Sequence, residues 1–263
     1  MINRRFLRVK VLQAVYAYQE SGEDFVENGI KHLIDSIEKL RDLFVWQISF
    51  LVETKRFAEN RIEENKHKNF PTADDLNPNM RYVENRVLVA LENNKDLRKE
   101  EERLKINWAD HQDIVRGYYN KMRETEEYKQ YMSDSVDNFD HDKKFIVKMI
   151  NEYFADLEVL QDFYEEKSIF FVDDYHLVSS MLVKFFTEMK ANFNENTSLP
   201  SIYKTGNDPV NEDKEFVKNL FRKVLLHDSE YGKMVGENTS NWEKERVCIM
   251  DMIILKLAIT EFC

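Results

Sequence analysis

Six glycines and four prolines are all that punctuate this chain of 263 residues. A sequence so poor in both, yet rich in Leu, Glu, Lys and Asp, is predicted to form long helices with few breaks. Hydrophobic residues make up 43% and charged residues 33%, a balance that builds packed cores rather than a disordered chain. The length allows one large domain or two small ones. The expected fold class is all-α, a helical bundle.

The two cysteines, Cys248 and Cys263, lack metal-ligand spacing, so no disulfide framework is expected and a reducing compartment fits. The N-terminus has no continuous apolar stretch of the signal-peptide kind. The most apolar run, "MIILKLAI" (252–259), is too short to span a bilayer and contains Lys256. The chain therefore reads as soluble and cytoplasmic, with no membrane partner. Its net charge of −11 argues against non-specific coating of nucleic acid. A local basic site remains compatible, because exposed charges are screened beyond about 8–10 Å at physiological salt.

Such a site opens the chain. In "NRRFLRVKVLQAVYAYQES" (3–21), Arg4, Arg5, Arg8 and Lys10 precede any acid, and they fall in the first turns of a predicted amphipathic helix. Cations are unfavourable there, since a helix N-terminus already carries partial positive charge. Arg4 and Arg8 lie one turn apart and flank Arg5. With the free amides of the helix start they form an anion site suited to RNA phosphates and bases; alternatively, they pair with acids of the chain. Leu7, Val11, Ala14, Val15 and Tyr18 form one apolar stripe. Val9, Leu12 and Tyr16, with Arg5, fall on nearly the opposite side. That second stripe is either a protein-binding surface or a face covered by the middle of the chain.

Two stretches rich in Pro, Asn and Asp, 65–79 and 192–213, divide the chain into blocks 1–64, 80–191 and 210–263. A weak internal repeat links "DKKFIVKMINEYF" (142–154) to "DKEFVKNLFRKVL" (213–225), with 71 residues between Phe145 and Phe216. In "NWEKERVCIMDMIILKLAITEF" (241–262), Val247, Met250, Ile254, Leu257 and Ala258 line one face. Ile253, Leu255 and Ile259 widen it until almost nothing polar remains, which predicts a central core helix. Asp251 sits at the edge of that face and needs a partner if buried.

These residues resemble the NusB family of transcription antitermination factors. The family's Trp, Arg and Asp ahead of an Ile-Leu-Arg-Leu-Ala-like helix correspond to Trp242, Arg246, Asp251 and "ILKLA" (254–258), with Lys256 in place of Arg. The match extends back through "FVKNLFRKVLLHDSEYGKMV" (216–235), and the basic opening with "QAVY" (13–16) resembles the family's first helix. The resemblance implies a helical, non-enzymatic factor without a cofactor or metal. It would bind boxA-like RNA together with the small-subunit ribosomal protein NusE, within a transcription elongation complex. Carried over, it implies RNA contacts by Arg4, Arg5, Arg8 and, from the turn 225–231, His227. It also implies partner contacts by Tyr16 and Asp251, to which the outward phase of the first helix adds Val9 and Leu12.

Three departures accompany the resemblance. Residues 22–210 separate the first helix (1–21) from the C-terminal helices (211–263), where the family has a short stretch; this is expected to be a helical insert, with 142–190 as a degenerate repeat. The sequence stops at Cys263 in mid-helix, so the family's further helices are expected to be lacking. The insert also makes the chain acidic. The competing expectation is a helical interaction scaffold that has lost RNA binding and acts through that acidic insert. Catalytic signatures are thin: Glu64/His67 and Asp173/His176 have the acid-x-x-His spacing of a di-metal site, but 49 acids and six histidines produce it readily by chance.

Overall fold

The computed structural model describes residues 2–22, 24–154, 157–203, 211–238 and 248–262, and every regular element among them is helical. The helices are α1 (Arg4–Ser21), α2 (Val26–Lys66), α3 (Ala73–Leu76), α4 (Arg86–Glu92), α5 (Lys95–Leu104), α6 (Gln112–Glu124) and α7 (Glu126–Ser133). They continue as α8 (Phe139–Met149), α9 (Glu158–Lys167), α10 (Tyr175–Glu188), α11 (Glu212–Leu226), α12 (Asp228–Asn238) and α13 (Ile249–Phe262). A π turn follows α8 at Ile150–Phe154, and a 3-10 turn follows α9 at Ile169–Phe171. No described helix is long and apolar enough to cross a membrane. The chain divides into two compact units: residues 1–39 with 201–263, and residues 40–200.

The second unit is organised around the middle of α2. Every residue from Asp42 to Val52 is buried, whichever side of the helix it occupies. Three polar side chains in that stretch each meet a distant side chain, although the buried Oε1 of Gln47 is left without a partner among the described residues. Asp42 accepts from Arg103 Nη2 at 2.6 Å, Gln47 Nε2 donates to Ser179 Oγ at 3.5 Å, and Ser49 Oγ accepts from Trp108 Nε1 at 3.1 Å. Around Trp46 and Phe50 pack Trp108, Tyr118, Phe154 and Phe163, mostly edge to face. At the rim of this core, burial pushes the Glu92 carboxyl up, but hydrogen bonds from Lys55 and Arg56 outweigh it and hold the group below its ordinary value.

In the first unit α1 packs on α11 and α13, and α12 packs on α13. The α1 stripe forms as its period predicts, with Leu7, Val11 and Val15 fully buried. α2 enters beside it through Gly29. A Cβ at that position would stand 2.6 Å from the Phe221 ring and 2.8 Å from Tyr18, two rings that meet edge to face at 5.8 Å. Only a residue without a side chain lets the α2 backbone approach them so closely.

One buried ion pair is built the same way in each unit. Asn3 and Asn85 cap α1 and α4, and the next residue, Arg4 or Arg86, is the first of its helix. Arg4 Nε reaches Asp213 at 3.1 Å, and Arg86 Nη1 reaches Asp142 at 2.9 Å. Each carboxylate is 1% exposed. The two aspartates are 71 residues apart, and burial follows the same spacing in Ile146/Val217, Met149/Leu220, Ile150/Phe221, Leu160/Tyr231 and Tyr164/Val235. Phe154, at the end of the π turn, and Val224, in α11, are also fully buried.

Gly29→Ala is expected to destabilise the protein by about 1–3 kcal/mol through overpacking against two aromatic rings. Gly117→Ala, in the interior of α6 with open space around the new methyl group, is expected to stabilise by about 0.5–1 kcal/mol. Urea midpoints of the two variants against the parent chain measure both; a harmless Gly29→Ala would contradict the packing described.

Candidate functional site

The arginines of α1 do not form an open anion site. Arg4 lies between the first turn of α11 and a ring of that helix: besides Asp213, it approaches Glu212 at 4.0 Å and stacks over Phe216 at 4.3 Å. Arg8 binds Glu261 of α13 through two hydrogen bonds, 2.5 and 2.6 Å, and also faces Phe216 at 5.5 Å. Hydrogen bonding to Glu261 raises the Arg8 guanidinium above its ordinary value against a smaller opposing effect of burial. Lys10 is buried. Only Arg5 stands exposed without a partner among the described residues. The cations that sit badly at the start of α1 are thus offset by carboxylates of α11 and α13, which leaves little net positive charge for phosphate.

His227, at the end of α11, shares a hydrogen bond with Glu230 at 2.8 Å and stacks on Tyr231. Its ring is engaged within its own turn. Trp242, Arg246 and Val247, on which part of the family resemblance rests, and the terminal Cys263 lie outside the described residues.

The second stripe of α1 is a surface. Val9 is 42% and Tyr16 38% exposed, and Leu12 between them is half-buried. The helix beside it, α13, departs from the expectation of a central core helix. α13 is not a central helix: it buries Ile253, Lys256, Leu257 and Thr260 and nothing else fully. Ile254, assigned above to the core face, is 48% exposed, Ala258 is exposed, and Phe262 is 92% exposed. Asp251 is exposed too, so it meets no desolvation cost that a partner inside the chain must relieve. The error has a physical cause. α13 is apolar nearly all round, so periodicity cannot orient it; neighbours do.

Polar contacts join it to those neighbours. Lys256 donates to Asp228 at 2.6 Å, and Asp228 also accepts from Gln19 Nε2 at 3.1 Å, which ties α1, α12 and α13 together. Arg8 near the start of α1 meets Glu261 near the end of α13, and Gln19 near the end of α1 joins Lys256 through Asp228. The two helices therefore run antiparallel. Arg8 and Glu261 each sit about a quarter-turn from the buried stripe of their own helix, and so mark the seam between them. A further quarter-turn outward lie Arg5, Val9, Leu12 and Tyr16 on α1. On α13 the same outward side carries Asp251, Ile254, Leu255, Ala258 and Phe262, at spacings of three and four residues. The two stripes adjoin along the seam and form one continuous, largely apolar face, bordered by the free charges of Arg5 and Asp251.

Among the described residues no group of three or more His, Cys, Asp and Glu side chains is placed to hold a metal ion. Comparison of the chain with protein-family models, with curated proteins and with solved structures finds no match in any of the three.

Arg4→Ala removes the guanidinium from a carboxylate that is 1% exposed and is expected to cost about 2–3 kcal/mol. Arg5→Ala is expected to change stability by less than about 0.5 kcal/mol. Equal effects of the two in chemical denaturation would contradict the distinction between a structural and a free arginine.

Proposed function

We propose that the chain is a non-enzymatic docking factor of the NusB kind, which binds a NusE-like ribosomal protein across the outward face of α1 and α13. The observation that carries this reading is the common face itself. Val9, Leu12, Tyr16 and Asp251 come from opposite ends of the sequence, and they lie on adjoining outward stripes of two antiparallel helices. An exposed apolar strip of this kind, with charged residues at its border, is what protein partners bury. The helix resemblance supplies the candidate partner, and the outward phase of Tyr16 supplies its central contact.

RNA binding is the second reading, and one observation favours it: Arg5 is a free guanidinium on the docking face. The Arg8–Glu261 pair is exposed, and such pairs contribute about 0–1 kcal/mol, so an incoming phosphate exchanges with Glu261 at little cost. Arg4 does not have that freedom. RNA contact by this chain then amounts to one or two phosphates, completed by the partner's own surface.

Titration of the full chain with NusE, followed calorimetrically, tests the docking reading. Tyr16→Ala and Ile254→Ser are each expected to weaken binding tenfold or more, a loss of about 1.4 kcal/mol, while Arg4→Lys leaves it unchanged. Absence of NusE binding, or binding indifferent to both substitutions, overturns it. For the RNA reading, a labelled boxA-like RNA bound by the NusE complex is expected to show a salt slope reduced by about 0.7 in Arg5→Ala, the share of one single-strand phosphate.

A further inference from the structure

A second unpartnered face belongs to the second unit, on α9 and the turn that follows it. α9 turns Leu160, Phe163 and Tyr164 into the aromatic core. On its outer side Val159 is 55% exposed, and beyond its end Ile169 is 82% and Val172 45% exposed. Beside and between these apolar points stand Glu158, Asp162, Glu165 and Glu166, all exposed. Val159, Asp162 and Glu166 follow one another at three- and four-residue spacing along one stripe.

The charges on this face are unbalanced within the chain. Glu158, Asp162, Glu165 and Glu166 of α9 are accompanied by a single base of the same helix, Lys167. Lys167 turns the other way, to 4.8 Å from the Phe163 ring and 6.0 Å from Trp46. Among the described residues none of Glu158, Asp162, Glu165 and Glu166 makes an ion pair or a side-chain hydrogen bond, whereas other acids of the same unit do: Glu59 and Glu92 hold Lys55, Asp137 holds Arg86, and Glu195 holds Lys95. Glu158 at the first turn favours the helix. Glu165 and Glu166 in the last turn oppose the helix dipole, each at about 0.3–1 kcal/mol. Uncompensated carboxylates in an unfavourable position, beside exposed aliphatic side chains, call for cations from outside.

We propose that the outer face of α9 and the 169–172 turn docks a basic amphipathic segment of another protein, with apolar anchors on Val159 and Ile169 and Lys or Arg side chains on the carboxylates between them. A helix that spaces its own apolar residues over a few turns offers one anchor to α9 and another to the turn beyond its end. The attraction is electrostatic at long range and apolar at contact, so affinity falls with salt without vanishing. The inference is independent of the α1–α13 face.

The test uses the full chain and two fluorescein-labelled helical peptides of sixteen residues, one of Leu and Lys and one of Leu and Glu at amphipathic spacing, read by anisotropy. Because the whole chain is acidic, two variants of equal charge are compared. One carries Glu158→Gln, Asp162→Asn, Glu165→Gln and Glu166→Gln; the other carries Asp74→Asn, Glu84→Gln, Glu102→Gln and Glu124→Gln, all exposed on other elements of the unit. Saturable binding of the Lys peptide is expected, weakened tenfold or more by the first set and by Ile169→Ser, and less than twofold by the second set. Equal weakening by the two sets, indifference to Ile169→Ser, comparable binding of the Glu peptide, or no saturable binding overturns the proposal.

Discussion

A carboxylate buried in the first turn of one helix, holding an arginine at the first residue of another, is the interaction on which the first unit depends. Asp213 of α11 fixes the start of α1 and absorbs the charge of Arg4. It solves two problems at once. Three cations at a helix N-terminus repel the dipole, and a carboxylate that is 1% exposed needs a counter-charge. With α1 fixed at that end, Phe216 lies beneath Arg4 and Arg8, Tyr18 reaches Phe221, and Gly29 admits α2 against both rings. The second unit uses the same device in Arg86 and Asp142, where the carboxylate also accepts from the Arg86 backbone amide and from Tyr131.

The docking face follows from how α13 is held. A helix apolar on every side has no preferred face of its own to bury, and its neighbours orient it: α13 packs on α1, α11 and α12, with Lys256 on Asp228 and Glu261 on Arg8 at the polar contacts. They turn Ile253 and Leu257 inward and leave Ile254, Ala258 and Phe262 outside. Lys256, in the place where the NusB-like pattern has arginine, reaches Asp228 with a stem that is itself buried. The same seam gives the arginines their role. Arg4 is a structural member of the unit, Arg8 sits in an exposed pair with Glu261, and Arg5 is the one arginine of the cluster without a partner among the described residues.

The helical class was legible in the scarcity of glycine and proline, and the Asn- and Pro-rich breaks fall where helix stops after Lys66 and again between Glu188 and Glu212. Both stripes of α1 were legible because it mixes polar and apolar residues with a clear period. The central helix was not. Hydropathy picks out 252–259, yet the stretch buried on all sides is 42–52, where Asp42, Gln47 and Ser49 lower the apparent apolarity. Each of the three hydrogen-bonds to a residue more than fifty positions away, and no local pattern encodes such pairing. The partners of Arg4 and Arg8, more than 200 residues distant, were hidden for the same reason. The acids themselves were plain to see; which of them an arginine meets is a property of the fold.

The central claim is that the outward face of α1 and α13 is where a protein partner docks. Hydroxyl-radical footprinting of the full chain, with and without NusE, reads it most directly because it reports side chains rather than helical amides. The account predicts that oxidation of Leu12, Tyr16, Ile254 and Phe262 falls together when the partner is added, while exposed side chains of the second unit, Phe70 among them, keep their reactivity. Protection confined to the second unit, with Tyr16 and Ile254 oxidised as before, would contradict it.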